Sequence, residues 1–589
     1  MAAPLEDYAM IGDGQSAALV GRNGSIDWLC WPRFDSDACL AALVGGEDNG
    51  HWLLAPQDAE ARAQRRYRDD TLILDSEFVT GSGTVRVTDF MPERKGAPAL
   101  VRIVTGLRGF AAMRMRLRLR FGYGLVPPWL EAEERQAVGR VGPDLTILRA
   151  GAPLDRDGRD VGAEFVVRAG ECCAFVLQFG SAQERPPAAL DPQRALADTE
   201  QYWRGWIGGF DKPTDWPDAV RRSLITLKAM ISHTTGGIVA APTTSLPEVS
   251  GAGMNWDYRY CWLRDAAFAV SALLNANYHA EAEAWRDWIL RAIAGSPEHI
   301  QVMYRVDGGR DLNEWAVPWL SGYRWSVPVR VGNAAAHQRQ IDVFGELVDV
   351  MELAAQAGIE RNAHWGALEQ DIVQHVAGVW GLAGHGLWES RGEPRRHVYS
   401  QVMAWVVLDR FLKRNAGAPD ADPHLLKRLA ALRAEIHREV CQEGFDGGLD
   451  SFVEYYGSRQ VGAALLLMPV VGFLPIDDSR VAATIARIER ELMDDGLVYR
   501  TAESREGAQG AFLACSCWLA DCRKMQGRDA AARAAFERLL AVRNDVGLLS
   551  EEYDIRRRRL TGNFPQALSH LALVNTGIGL CGPVLQRGA

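Results

Sequence analysis

Near residue 215 the apolar residues of this chain change period, and that switch limits the folds open to it. Before it they recur at every second position. Met113-Arg114-Met115-Arg116-Leu117-Arg118-Leu119-Arg120-Phe121 alternates strictly, as does a strand with one buried and one wet face. Stretches 71–79, 84–91, 100–104, 145–149, 163–168 and 172–179 share this β character and are punctuated by Gly, Pro, Asn and Asp. Many short strands without intervening helices predict an antiparallel β-sandwich over residues 1–205. The arginine stripe at 114, 116, 118 and 120 reads as the solvated face of that sheet. The alternative, a basic patch for a polyanion, has no other support in the chain.

After the switch the period is that of helices. Twelve helical stretches are expected: 215–234, 262–275, 279–294, 333–357, 362–380, 396–415, 423–443, 458–469, 478–493, 510–526, 527–544 and 563–580. Twelve helices can close as six hairpins into an (α/α)6 barrel. The reading is thus multidomain, β then α: sandwich 1–205, linker and first barrel helix 206–244, catalytic barrel 245–589. In such a closure the loops leading from odd to even helices open at one end. Residues 258–265 precede or open the second helix, 315–333 the fourth, Trp388 and Glu389 the sixth, and 551–554 the twelfth. Aromatic and acidic residues far apart in sequence therefore meet on one rim.

Two acidic stretches on that rim carry the chemistry. In Gly386-Leu387-Trp388-Glu389-Ser390-Arg391, the apolar neighbours would raise the pKa of Glu389 and keep it protonated, as an acid catalyst needs. In Ser550-Glu551-Glu552-Tyr553-Asp554 only one of the adjacent glutamates can enter a given pocket, and Ser550 and Tyr553 would hold a carboxylate ionised. Paired carboxylates beside rings suit cleavage of a sugar acetal, where one acid protonates the leaving oxygen and a second activates water. An ordinary surface Glu at 389 and a helix N-terminal acidic pair at 551–552 are the bland alternatives. The crowded stretch 255–265, with Tyr258, Trp262, Arg264 and Asp265, offers rings and hydroxyl-binding groups, or a structural Arg–Asp bridge.

Composition excludes other classes. A net charge of −10 argues against a nucleic-acid partner. The N-terminus lacks a basic and apolar leader, and no apolar run is long enough to span a membrane. Ten cysteines without framework spacing fit a reducing compartment, so a cytoplasmic location is expected. His337, His397 and His570 lack metal-ligand spacing. No metal and no cofactor are expected; a homo-oligomer stays open.

The chain resembles glycoside hydrolase family 15, especially its two-domain prokaryotic glucoamylase-like and trehalase-like members. The resemblance is carried by Arg22-Asn-Gly-Ser-Ile-Asp-Trp-Leu-Cys-Trp-Pro-Arg-Phe-Asp35, Ala241-Pro-Thr-Thr-Ser-Leu-Pro-Glu248, Trp262-Leu-Arg-Asp265 and Pro328-Val-Arg-Val-Gly-Asn333. It continues through Leu387-Trp-Glu-Ser-Arg-Gly-Glu-Pro394, the stretch 543–554 and Gly562-Asn-Phe-Pro-Gln-Ala567. It implies an inverting, exo-acting α-glucosidase for short α-gluco-oligosaccharides or disaccharides: trehalose, isomaltose-type or maltose-type sugars. By the same resemblance Glu389 is the general acid and Glu551 the general base. Arg264 and Asp265 hold the non-reducing glucose, Tyr258 lies under it, and Trp388 lines its subsite with Trp262 and Arg391 near by. The loop 31–35, with Arg33 and Phe34, reaches over the barrel mouth. Three departures from the family pattern are Gln509 before Gly510-Ala511-Phe512, Trp325-Ser326-Val327 before Pro328, and Ile555 after Asp554. The first two flank the leaving-group side and leave linkage open. A glycoside phosphorylase, which needs no general-base Glu, and a carbohydrate-binding pseudoenzyme are the rival readings.

Overall fold

The computed structural model describes residues 2–361, 363–418 and 421–582. Of the barrel span expected to reach residue 589, residues 583–589 lie outside the described residues, as does residue 362 at the start of the fifth expected helix.

Fifteen antiparallel strands between Tyr8 and Ser181 form two layers joined by one strand, Ala99–Arg118. Its first half pairs with Gly83–Phe90 and Cys172–Ser181 in one layer, with Phe175 opposite Arg102. Its second half pairs with His51–Pro56 and Asp160–Arg168 in the other, with Met115 opposite Leu54. The strict alternation explains this second half: Met113, Met115 and Leu117 are buried. Arg118 and Arg120 face outward and pair with Asp160 at 2.7 and 3.0 Å. The stripe is a solvated, acid-compensated sheet face. One helix, Pro192–Ile207, lies where only β structure was expected. Asp191 caps it, accepting from Gln193 N and Arg194 N, and Pro192 occupies its first position.

All twelve expected helical stretches contain a helix. Leu263–Asn275, Asp342–Gln356, Val398–Asn415, the short pair Ala463–Leu466 and Leu467–Val470, Leu513–Met525 and Ala567–Gly579 pack each on the next, and the last on the first. They are the inner ring of the barrel. Pro217–Ala229, His279–Ala292, Ala363–Val379, Pro423–Glu443, Ser479–Glu491 and Asp529–Leu540 pack outside it. Two stretches fall short of the expectation. The fourth helix begins at Asp342, because 334–337 is a separate 3₁₀ turn capped by Asn333. The eighth is little more than one α turn, interrupted by Pro469 and ended at Gly472.

The two halves meet through buried and half-buried polar contacts. Arg259 has no exposed surface and pairs with Asp257 at 2.6 Å. It also donates to the Ser36 carbonyl at 2.7 Å and to the Tyr123 hydroxyl at 3.0 Å, both on the sandwich side. Trp28 Nε1 donates to Pro242 O at 2.7 Å, and Arg65 pairs with Asp545 at 2.7 Å. Removing one member of a buried pair leaves the other uncompensated. Arg259→Met should therefore destabilise the chain by about 3–5 kcal/mol in chemical unfolding, and adding Asp257→Asn should recover part of that loss. Equal stability of the single and double variants would show that the pair is not coupled.

Candidate active site

Every outer-to-inner connection of the barrel emerges at the same end, and the residues with unusual chemistry sit in these loops or in the first turn after them. They surround a cavity of about 500 Å³ lined by Tyr258, Trp388, Glu389, Arg391, Glu454 and Arg500 among others.

Glu389 stands in the left-handed backbone region at φ 55°, a conformation that costs an ordinary residue free energy and concentrates at functional sites. Its Oε1 accepts from Trp262 Nε1 at 2.6 Å and from Arg264 Nη1 at 3.2 Å. With both donors on one oxygen, Oε2 is left to carry a proton. Burial pushes the Glu389 carboxyl above its ordinary value, and Arg264 and the Trp262 hydrogen bond restrain that rise. Arg264 is held by Asp265 Oδ1 at 2.7 Å and by the Leu387 carbonyl at 2.7 Å.

Glu551 lies behind Tyr258 and is 2% exposed. The Tyr258 hydroxyl donates to its Oε1 at 2.6 Å. The Tyr258 ring packs edge-on against Trp262, with centroids 5.2 Å apart. The two carboxyls are thus linked by a pair of touching rings, each carboxyl accepting from one of them. Burial first, and then the charge of Glu248, push Glu551 up to about 8, while Arg500 and Tyr258 pull it down. Ser550 and Tyr553 do not supply the stabilisation expected of them. Ser550 Oγ donates to the Glu552 carbonyl, and Tyr553 packs under Arg538. Glu552 turns the other way, pairing with Arg500 at 2.7 Å and accepting from Gly510 N at 2.9 Å.

Three polar atoms around the cavity are buried and have no hydrogen-bond partner among the described residues: Glu551 Oε2, Asp265 Oδ2 and Trp388 Nε1. Buried polar groups are nearly always satisfied, so these two acceptors and one donor are open to a hydrogen-bonding ligand or to water. Gly562, at φ 76°, makes room for Glu551, since a Cβ there would come within 2.5 Å of its Oε2.

Of the residues picked out by sequence, Tyr258, Trp388, Glu389 and Arg391 line the cavity directly. Trp262, Arg264 and Asp265 reach it through Glu389, and Glu551 through Tyr258. Arg33, Phe34 and Trp325 do not line it. The 31–35 loop touches the rim, but Arg33 is taken up by Asp35 and Asp307, and Phe34 is packed in the core. Trp325 is 70% exposed because the 3₁₀ turn 323–325 directs it outward, and Val327 is exposed too. Gln509 does line the cavity and accepts from Arg500 at 3.3 Å. Sequence reasoning missed Arg500, Glu248 and Glu314, while Trp256 stood within the crowded stretch 255–265. Arg500 bridges Glu248 and Glu552; Trp256 donates to Glu248 at 3.0 Å and is stacked on by Arg330 and Arg391, both paired with Glu314. Glu248 was visible only as the last residue of a family motif.

Among the described residues no cluster of His, Cys, Asp and Glu is arranged to hold a metal, and no helix is long and apolar enough to cross a membrane.

Comparison with known proteins adds the following. The pattern of glycosyl hydrolases family 15 matches residues 216–578, and that of the trehalase-like N-terminal domain matches residues 1–203. A trehalase of Thermoplasma volcanium is 32% identical over 593 residues, covering 99% of this chain and 94% of its own. A trehalase of Mycobacterium tuberculosis is 33% identical over 617 residues, covering 97% and 89%. In fold, the chain is similar to a bacterial glucoamylase solved with acarbose, at a TM-score of 0.75 and 11% identity, covering 100% of this chain and 96% of that one.

A buried carboxyl whose pKa is raised holds its proton more tightly in the folded chain than in the unfolded one. Its contribution to stability is full below the ordinary value of 4.5 and is lost as pH rises through about 8. Glu551→Gln, neutral at every pH, should therefore raise Tm relative to the parent at pH 8, with the gap closing toward pH 4.5. A gap independent of pH would contradict the burial of an ionisable group there.

Proposed function

The chain belongs to the glycosyl hydrolases of family 15, and within that family we propose that it is an inverting trehalase. Its membership makes it a glycoside hydrolase acting on α-glucosides. The narrower substrate is supported by relatives called trehalases that match it over nearly its whole length. The observation that supports the mechanism is the pair of buried carboxyls, Glu389 and Glu551, each accepting from one of the two touching rings Trp262 and Tyr258.

The proposed reaction follows from those groups. Asp265 Oδ2 and the Arg264 guanidinium hold hydroxyls of the non-reducing glucose, whose ring lies against Tyr258 and Trp388. Glu389 Oε2 gives its proton to the glycosidic oxygen as the bond to the anomeric carbon breaks. Glu551 takes a proton from a water that attacks that carbon from the opposite face, forming the new C–O bond. Inversion needs room for that water, hence carboxyls about 6.5–9.5 Å apart rather than adjacent. After the step Glu389 is ionised and Glu551 protonated, and exchange with solvent restores both.

Trehalose makes the stereochemistry readable. The attacked glucose leaves as the β-anomer while the departing glucose keeps its α configuration. Rapid NMR of the first turnovers should show equal amounts of α- and β-glucose, with no requirement for phosphate. α-Glucose alone would mean retention, and a glucose phosphate would mean phosphorolysis.

The Glu551 base is active only when ionised, so the acid limb of kcat/KM should follow its titration. Since Glu248 raises Glu551 by like charge, Glu248→Gln should move that limb to lower pH. An unmoved limb would assign it to another group.

A further inference from the structure

The polar groups around the cavity divide into committed cations and uncommitted acceptors. Every guanidinium at the site is engaged: Arg264 with Asp265 and Glu389, Arg330 and Arg391 with Glu314, and Arg500 with Glu248 and Glu552. The rim loops 444–462 and 492–512 bring a different wall, with Glu454 and Glu503 beside Thr501, Ser504 and Gln509. Thr501 and Ser504 are spent on each other, as Thr501 Oγ1 caps the turn by accepting from Ser504 N at 3.1 Å. Glu454 and Glu503 form no ion pair among the described residues.

Glu454 is fixed in place. Its N–H donates to Gln460 O at 2.9 Å, and its carbonyl accepts from Val398 N at 3.0 Å, tying it to the start of an inner helix. Its side chain passes over Gly462, where a Cβ would come within 3.2 Å of Glu454 Cγ. Burial, and then the charge of Glu503, raise the Glu454 carboxyl to about 7, so the two carboxyls sense one another. A wall with open acceptors and no open cation suits a group that donates hydrogen bonds and carries no negative charge.

We propose that Glu454, with Glu503 beside it, determines specificity for the leaving sugar, accepting hydrogen bonds from the hydroxyls of an unphosphorylated hexose and repelling phosphate esters. The inference rests on the reading above in one respect: the leaving sugar departs on the side of Glu389 that shares this cavity.

The test compares two substrates with the same glucose. α-Glucosyl fluoride has no leaving sugar, whereas a disaccharide has one. Glu454→Ala should lower kcat/KM for the disaccharide roughly 10- to 100-fold more than for the fluoride, and Glu454→Gln should recover part of the difference. Equal losses on both substrates, or no loss on either, would overturn the assignment. Fluoride turnover by the parent enzyme also keeps the two readings apart. If the parent cleaves the fluoride and another disaccharide but not trehalose, the substrate reading fails while Glu454 is still judged on the sugar that is cleaved. Trehalose 6-phosphate should inhibit the parent weakly, and the double variant Glu454→Gln, Glu503→Gln should tighten that inhibition by roughly tenfold. An unchanged inhibition constant would remove the exclusion of phosphate esters.

Discussion

Closure of the inner helical ring is the constraint on which the rest of this molecule depends. Once Ala567–Gly579 packs against Leu263–Asn275, all six outer-to-inner connections must emerge at the same end. Residues as distant as Glu248 and Glu551 then become neighbours without any long-range sequence signal between them. The sandwich braces the same end: Arg259, two residues from Asp257 and one from Tyr258, reaches across to Ser36 and Tyr123. Fold and site are therefore coupled through the loop that carries Tyr258, and Arg65–Asp545 ties the loop of Glu551 to the sandwich as well.

The electrostatics of the site follow from that crowding. Glu248, Glu389, Glu551 and Glu552 are brought together with two guanidiniums, Arg264 and Arg500, in a region largely withdrawn from water. Arg264 is shared between Asp265 and Glu389, and Arg500 between Glu248 and Glu552. Neither cation forms an ion pair with Glu551, whose Oε1 accepts from the neutral Tyr258 hydroxyl. Of these four carboxyls Glu551, the proposed base, is the one without a guanidinium partner.

What the sequence revealed is what periodicity encodes. Strict alternation at 113–121 gave the strand, and the 3.6-residue pattern gave all twelve helical stretches. The Pro192–Ile207 helix follows the strands directly, so period alone does not separate it from them, although Asp191-Pro192 is a helix-start signal. At the site, Glu389 and Trp388 were legible because an acid next to a large ring is unusual in a loop. Arg500 and Glu248 were not, since each is a single charged residue whose meaning comes from a partner in another loop. Trp325 misled for the converse reason: a tryptophan next to a family motif looks functional until the backbone directs it into solvent.

The left-handed backbone at Glu389 has a consequence of its own. The peptide there is held by Gln338, whose Nε2 donates to the carbonyls of Glu389 and Ser390 at 3.2 Å each, and Gln338 is in turn contacted by Gln340 at 3.1 Å. The aim of the Glu389 carboxyl, the proposed acid, is thus governed by a clasp from the neighbouring connection, before Asp342–Gln356, and not by its own segment alone. Insertions or deletions between 300 and 341 would be felt as a misdirected carboxyl, making that connection a place where selection can adjust turnover without altering any group that touches sugar.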